Sequence, residues 1–188
     1  MESVSGIQNK LQSLLEECES LKKDEIGELQ AEDRWILSKT QSKIAEVTEA
    51  LEKMRLREAL HEILFTFESD LSWYQKRVQA KQRNDISGIL HQINSTRVAM
   101  LSPFAPHVAE EMWEKLGNVE FVSKSQWPEY SSDKFDATII QAEDGIRDSS
   151  TSRGLGDVYK RQHQQNCYKM QTLTWNQFQV FKTSYNHY

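Results

Sequence analysis

Apolar residues recur along most of this chain at the alternating three- and four-residue spacing of an amphipathic helix. Ile7, Leu11, Leu14, Cys18 and Leu21 form the first stripe, and a polar break follows at residues 22–28. Leu37, Thr40, Ile44, Val47, Leu51 and Met54 resume the rhythm. Leu56, Leu60, Ile63, Phe67, Leu71, Tyr74 and Val78 carry it on. No Gly or Pro separates these two runs, so length places a bend near Arg55. Asn84 is suited to cap a further helix with the stripe Ile86, Leu90, Ile93 and Met100. The last stripe is Val108, Met112 and Leu116. Pro106 fits its first position, where a missing N–H costs nothing. Glu110 and Glu111 lie in its early turns, where the helix dipole favours acids. Gly117 can take the left-handed cap at its end. Residues 119–122 read as a short extended piece. About five helices with short links predict an all-α antiparallel bundle.

The character changes after Asp136. Residues 142–162, AEDGIRDSSTSRGLGDVYKRQ, have neither helical nor strand periodicity. This run closely resembles the peptide obtained when sequencing-adapter DNA is read within an open reading frame. Residues 163–188 are rich in Gln, Asn and aromatics. The expected organisation is a leading helix and linker at 1–30, a bundle at 31–136, and a disordered, non-native tail at 137–188. A genuine lineage-specific tail is the alternative.

Three stretches carry a resemblance to a known family. Pro103 to Gly117 reads PFAPHVAEEMWEKLG, followed by the pair Trp127-Pro128. Ala31 to Lys39 reads AEDRWILSK, and Asp70 to Val78 reads DLSWYQKRV. Taken in order, they resemble the helical anticodon-binding domain of class I aminoacyl-tRNA synthetases, over roughly residues 7–136. The stretch at Asp70 to Val78 is most like the second helix of the archaeal and eukaryotic type of leucyl-tRNA synthetase, and that at Ala31 to Lys39 resembles the opening of the domain. The valine, isoleucine and methionine enzymes are the alternatives. The resemblance implies a tRNA-facing bundle, with leucine tRNA and a catalytic domain as partners and ATP as the cofactor of the whole enzyme only. These 188 residues hold no HIGH-type or KMSKS-type segment. The chain therefore reads as a non-catalytic part of such an enzyme, with no cofactor of its own.

Composition fits a protein of the cytoplasm. Charged residues make up 27% and hydrophobic residues 38%. The first residues are polar, so no secretory leader is visible. No apolar run is long enough to span a membrane, and neither a membrane nor DNA is an expected partner. Cys18 lies on an apolar stripe and reads as a small core residue of a reducing compartment. Residues 141–188 hold 6 of the 23 Lys+Arg and 4 of the 28 Asp+Glu, so residues 1–140 carry 17 against 24, a net of −7. RNA affinity comes largely from phosphate neutralisation. Such a domain should not hold RNA tightly alone, and any positive face must be local.

Catalytic and metal patterns fail. His61-Glu62 begins an HExxH, but residue 65 is Phe. Gly154 and Gly156 form a lone GxG, and His163 and Cys167 lack partner ligands. The candidate RNA contacts are Lys76, Arg77, Lys81 and Arg83, with Trp73 close by. Lys76, Arg77 and Arg83 fall off the apolar stripe of their helix, and Lys81 lies near its edge. The bland alternative is a solvated helix end whose cations suit the dipole. Trp35 sits opposite the stripe of its own helix. Trp35 and Trp73 are therefore both expected to be exposed and to mark a domain interface. A purely structural module docking a catalytic domain through them is the second reading. Arg97 falls on its stripe between Ile93 and Met100. It should be buried against a carboxylate, with Asp33 and Asp70 as candidates. His107 points away from its stripe. Limited proteolysis should cut beyond about residue 140 first and leave a resistant N-terminal core. Protection of that segment would remove the expectation of a disordered tail.

Overall fold

The computed structural model of the chain describes residues 4–142. Its helices are α1 (Val4–Ser20), α2 (Ala31–Glu52), α3 (Leu56–His61), α4 (Phe67–Ala80), α5 (Ser87–Leu101) and α6 (Pro106–Lys115). A π-helical segment, Glu62–Thr66, joins α3 and α4 into one rod. Single 3₁₀ turns follow at Val122–Lys124 and Ser132–Lys134. No strand occurs among the described residues, and the piece expected to be extended at 119–122 runs into the first of these turns. The expected all-α bundle is therefore the fold.

Polar contacts between helix ends give the directions. Arg83, just past α4, reaches Glu32 and Asp33 at the start of α2. His91 Nε2 lies 2.8 Å from the Leu116 carbonyl, joining the start of α5 to the end of α6. Lys115 near the end of α6 meets Glu19 near the end of α1. Gln75 late in α4 reaches Glu17 late in α1, so α1, the α3–α4 rod and α6 run one way, and α2 and α5 run the other. The core is built from the predicted stripes, with Leu14, Cys18, Ile63, Phe67, Leu71, Tyr74, Ile93 and Met112 all buried. Burial pushes the Cys18 thiol up to about 12, so it is inert as a nucleophile.

Three helices end alike. After α2, α4 and α6 the chain steps into the left-handed region at Met54 (φ 57°), Gln82 (φ 55°) and Gly117 (φ 81°). In each case the next residue donates its N–H back to the third-last helical carbonyl: Arg55 to Ala50, Arg83 to Val78 and Asn118 to Trp113. These are Schellman caps. Two of them lack the usual glycine, so the chain breaks at residue 54 with no sequence punctuation. The expected cap at Asn84 does not form; α5 starts at Ser87, with Ile86 at its cap position. Gly88 explains the following turn. A Cβ there would lie 2.5 Å from the Asp24 carbonyl oxygen of the 21–30 linker. Its role is close backbone approach.

α2 departs furthest from the expected picture. Its main buried arc runs through Ile36, Thr40, Lys43, Ile44, Val47 and Ala50, while Leu37 is only half-buried. Trp35, Ser38 and Gln41, on other sides of the helix, are buried too. The segment after α6 covers much of that side. The Trp127 indole N–H donates to Thr48 Oγ1 at 2.9 Å, the Ser131 N–H to Gln41 Oε1 at 2.8 Å, and the Asp136 N–H to Ser38 Oγ at 3.1 Å. Glu110, placed in early α6, accepts the N–H groups of Val122 and Ser123 and anchors this strap.

Residues 137–142 belong to the span expected to be disordered, but they are helical. Asp136 Oδ1 accepts the N–H groups of Thr138 and Ile139 as an N-cap, and Ile140 is buried against the core. The rest of that span, from residue 143, lies outside the described residues. So do Gly154, Gly156, His163 and Cys167.

Arg97 is buried at 1% exposure, as its stripe position predicts. Its partner is neither Asp33 nor Asp70. Nη1 stands 2.8 Å from Glu68 Oε2, and Nε donates to the Ile63 carbonyl at 2.9 Å. Nη2 makes a longer contact of 3.5 Å to the Leu64 carbonyl. Both carbonyls belong to the π segment, where the Phe67 N–H bonds back five residues to Glu62. A π turn widens the backbone, and a fork of donors from α5 occupies the widened site. Arg97→Ala should lower stability by about 2–4 kcal/mol, because each buried carbonyl left unsatisfied costs about 1–3 kcal/mol while Glu68 still reaches water. Urea unfolding followed by circular dichroism would read this, and Arg97→Met should recover part of the loss by refilling the space. An unchanged midpoint in Arg97→Ala would mean that the guanidinium does not support the rod.

Candidate nucleic-acid interface

The basic stretch of α4 divides into two parts with different jobs. Residues 71–83 contain four cations and no acid. Arg83 turns inward, and Lys81 is tied to a buried acid from the surface. The left-handed step at Gln82 aims Arg83 back at the first turn of α2. There Asp33 is fully buried and Glu32 is 1% exposed. All five N–H donors of Arg83 are taken. Nη1 donates to Glu32 Oε1 (3.1 Å) and Asp33 Oδ1 (3.1 Å), Nη2 to Asp33 Oδ2 (2.9 Å) and Asp85 Oδ2 (3.1 Å), and Nε to Asp85 Oδ1 (3.0 Å). Lys81 Nζ bonds both oxygens of Glu32, at 2.9 and 2.8 Å. The Tyr74 hydroxyl donates to Asp33 Oδ1 at 2.7 Å. Asp33 Oδ2 also accepts the Gln30 N–H, which caps α2.

Of the cations expected to contact RNA, Arg83 is nearly enclosed and engaged by carboxylates, while Lys81 stays exposed and is ion-paired to Glu32. Being off the apolar stripe does not expose Arg83, because its acidic partners come from another helix. Asp33 is structural, as expected, but it serves Arg83 and Tyr74. Asp70 is also buried, at 5% exposure.

The charges in this cluster shift accordingly. Hydrogen bonds from Arg83 to Asp85 and Asp33 raise the guanidinium further above its ordinary value. Burial, then the bond to Asp33, pushes the Tyr74 phenol up. Burial alone would raise Glu32, but Lys81, its backbone bond and Arg83 outweigh it and hold the carboxyl below its usual range. Bonding to Arg83 lowers Asp85 as well.

The second part of the stretch lies over a pair of tryptophans. Trp35 of α2 and Trp73 of α4 meet with ring centroids 4.4 Å apart at 52°. Trp35 is fully buried, which corrects the expectation that it marks an exposed interface. Its outward side is covered by Trp73 and by Lys39, whose Nζ lies 5.7 Å from the ring centroid. Trp73 is half-buried, and the Arg77 guanidinium lies 4.9 Å from its centroid. Lys76 is exposed beside it. Lys39 was missed by the stripe analysis, yet a signal exists. Both tryptophans are followed four residues later by a cation, one helical turn on, at Trp35–Lys39 and Trp73–Arg77. Planar indole and guanidinium surfaces can carry a base or ribose, and an adjacent ammonium can hold a phosphate. His107 is exposed on α6 and takes no part in this cluster. No group of acids, His and Cys able to hold a metal occurs among the described residues.

The Arg83 clamp makes stability pH-dependent. Glu32 has a depressed folded value, so its contribution is fully present above the unfolded carboxyl value and is lost as pH falls through the folded one. Stability should therefore decline on acidification below about pH 4.5, roughly the unfolded glutamate range. Arg83→Gln should lower stability at neutral pH by about 3–5 kcal/mol, since it strands buried carboxylates, and should flatten that acid dependence. Urea midpoints at a series of pH values would check both. An unaltered acid slope in the variant would contradict this role for Arg83.

Comparison with known proteins places this geometry. A family model described as the anticodon-binding domain of tRNA ligase matches residues 33–158. The chain is 37% identical over 120 residues to the leucine–tRNA ligase of Pyrococcus horikoshii, covering 64% of this chain and 12% of that protein. It is 31% identical over 127 residues to the enzyme of Methanothermobacter thermautotrophicus, covering 68% and 13%. With the enzyme of Methanosarcina mazei it shares 33% identity over 134 residues, covering 71% and 13%. The chain thus spans only about an eighth of the length of these relatives. Among solved structures, the fold is similar to a chain of the ternary LeuRS–tRNA–LeuAMS complex of Agrobacterium radiobacter K84. The TM-score is 0.54 at 24% identity, over 70% of this chain and 16% of that one. With the matched region covering most of the bundle, the chain belongs to the family of anticodon-binding domains of tRNA ligases.

Proposed function

We propose that this chain is the anticodon-binding domain of a leucine–tRNA ligase, and that the outer face of α4 helps to place tRNA for leucine attachment. The leucine assignment is supported by the relatives above, all of them leucine–tRNA ligases. In that reading, the activation of leucine with ATP belongs to a catalytic domain elsewhere in the enzyme, acting in the cytoplasm. No described helix is long and apolar enough to cross a membrane.

The observation that carries the RNA contact is the Trp73–Arg77 pair with exposed Lys76 beside it. Leucine is encoded by many codons, so strict anticodon reading would serve poorly as an identity test. Contact with the RNA backbone suits this face better. A second reading is supported by the half-exposed state of Trp73: the same indole docks the catalytic domain and touches no RNA.

Titration of transcribed leucine tRNA at two salt concentrations separates the two. Lys76, Arg77 and neighbouring Lys39 allow about two or three phosphate contacts, so the slope of log affinity against log salt should be about −2 to −3. The chain alone should bind in the high micromolar range or weaker at physiological salt. Lys76→Gln with Arg77→Gln should remove most of that binding and leave the fold intact. Trp73→Ala should weaken it with little change in slope if the indole stacks on RNA. Arg83 is kept out of this test, because its loss would unfold the clamp. Unchanged binding in the double variant would rule out RNA contact here and leave the docking reading.

A further inference from the structure

Past the end of α4 the chain turns back towards α5, and the turn encloses a shallow groove of about 320 Å³. Four carboxamides line it: Gln75, Gln79, Gln82 and Asn84. All four are exposed. Buried Val78 and half-buried Ile86 form an apolar floor. Arg83 closes one side, but its five donors are already engaged by carboxylates.

Charge decides what such a groove takes. Arg83 is the one charged residue of the lining, and behind the groove Glu32, Asp33 and Asp85 match it. With its donors engaged there, a phosphate is not favoured. A neutral planar group with paired donors and acceptors is. Each carboxamide presents one acceptor oxygen and two donor hydrogens. That pairing matches a nucleobase edge, and the N6/N7 edge of adenine best. The volume lies at the lower limit of ligand sites, about 300–1,000 Å³, which suits one heterocycle rather than a larger ligand.

We propose that this groove binds a single unpaired nucleobase, adenine before the others, read by Gln79, Gln82 and Asn84. The proposal rests on the tRNA reading above for its biological ligand. Gln75 is partly committed, since its Nε2 donates to Glu17 Oε1 at 3.3 Å. Gln82 is held in place by the helix cap, its N–H bonded to the Gln79 carbonyl at 3.0 Å. A fixed backbone reduces the ordering cost of binding. Lys76 lies three residues before Gln79 on the same helix face, where it can hold the phosphate of a neighbouring nucleotide.

Uncharged nucleosides test this directly. The ¹⁵N-labelled full chain is titrated with adenosine, guanosine, cytidine and uridine at millimolar concentration, with side-chain NH₂ resonances followed by NMR. Adenosine should shift the signals of Gln79, Gln82 and Asn84 and bind about tenfold more tightly than the weakest nucleoside, the lower range for one bidentate pair. Inorganic phosphate should shift none of them. Gln79→Ala with Asn84→Ala should abolish the adenosine response while the backbone spectrum stays folded. No shift with any nucleoside overturns the proposal, and so does an equal response in the variant. The tRNA reading fails separately. If tRNA binding depends on Lys76 and Arg77 but no nucleoside binds, only the groove is wrong. If adenosine binds and tRNA does not, the groove stands as a base site and its assignment to tRNA falls.

Discussion

Asp33 and Glu32 sit in the first turn of α2 almost without solvent, and an ionised carboxylate in that position must be matched. The helix dipole helps, since both lie at a positive helix end. It does not suffice for two charges. Arg83 supplies the match from just beyond α4, where a cation is also favoured by the negative end of that helix. Antiparallel packing brings these opposite ends together, and the clamp fixes how far one helix slides along the other. Trp35 meets Trp73 only in that register, and Tyr74 reaches Asp33 only there. The same register positions Arg77 and Lys76 on the outside. Thus a nearly enclosed group decides how the exposed face is presented.

Much of the bundle was legible because its stripes are regular. Ile63, Phe67, Leu71, Tyr74 and Val78 are buried as their spacing indicates. Arg97 was legible too, as a cation on an apolar stripe. Its partner was not, because local spacing does not say which acid on which helix lies opposite. Arg83 failed for a related reason: its position off the stripe looked like exposure. Trp35 was misread because the stripe assumes one buried face, whereas Trp73 of α4 and Lys39 cover its indole on another. Met54 and Gln82 hid two chain reversals, since periodicity and glycine content reveal a left-handed cap only when glycine occupies it.

The candidate interface is in keeping with the net charge. Acids outnumber bases in the first 140 residues, and in the α4 stretch Lys81 and Arg83 are ion-paired with Glu32 and Asp33. Positive charge on this face is therefore small and local. A domain of this kind gains useful affinity only when its contacts are added to those of a larger partner, because each tethered contact then acts at high effective concentration.

The π segment between α3 and α4 has a bearing on how this rod tolerates changes in length. A π turn holds one residue more than an α turn, with the helix on either side keeping its faces. A deletion elsewhere in the rod would rotate all later side chains by about 100° and break the match to α2. A deletion within residues 62–66 would instead let the bulge close into an ordinary turn. The guanidinium of Arg97 would then lose the carbonyls of Ile63 and Leu64 as acceptors and keep only Glu68. The extra residue and the arginine thus act as one unit: shortening the rod here would leave the buried cation on α5 with Glu68 as its single partner.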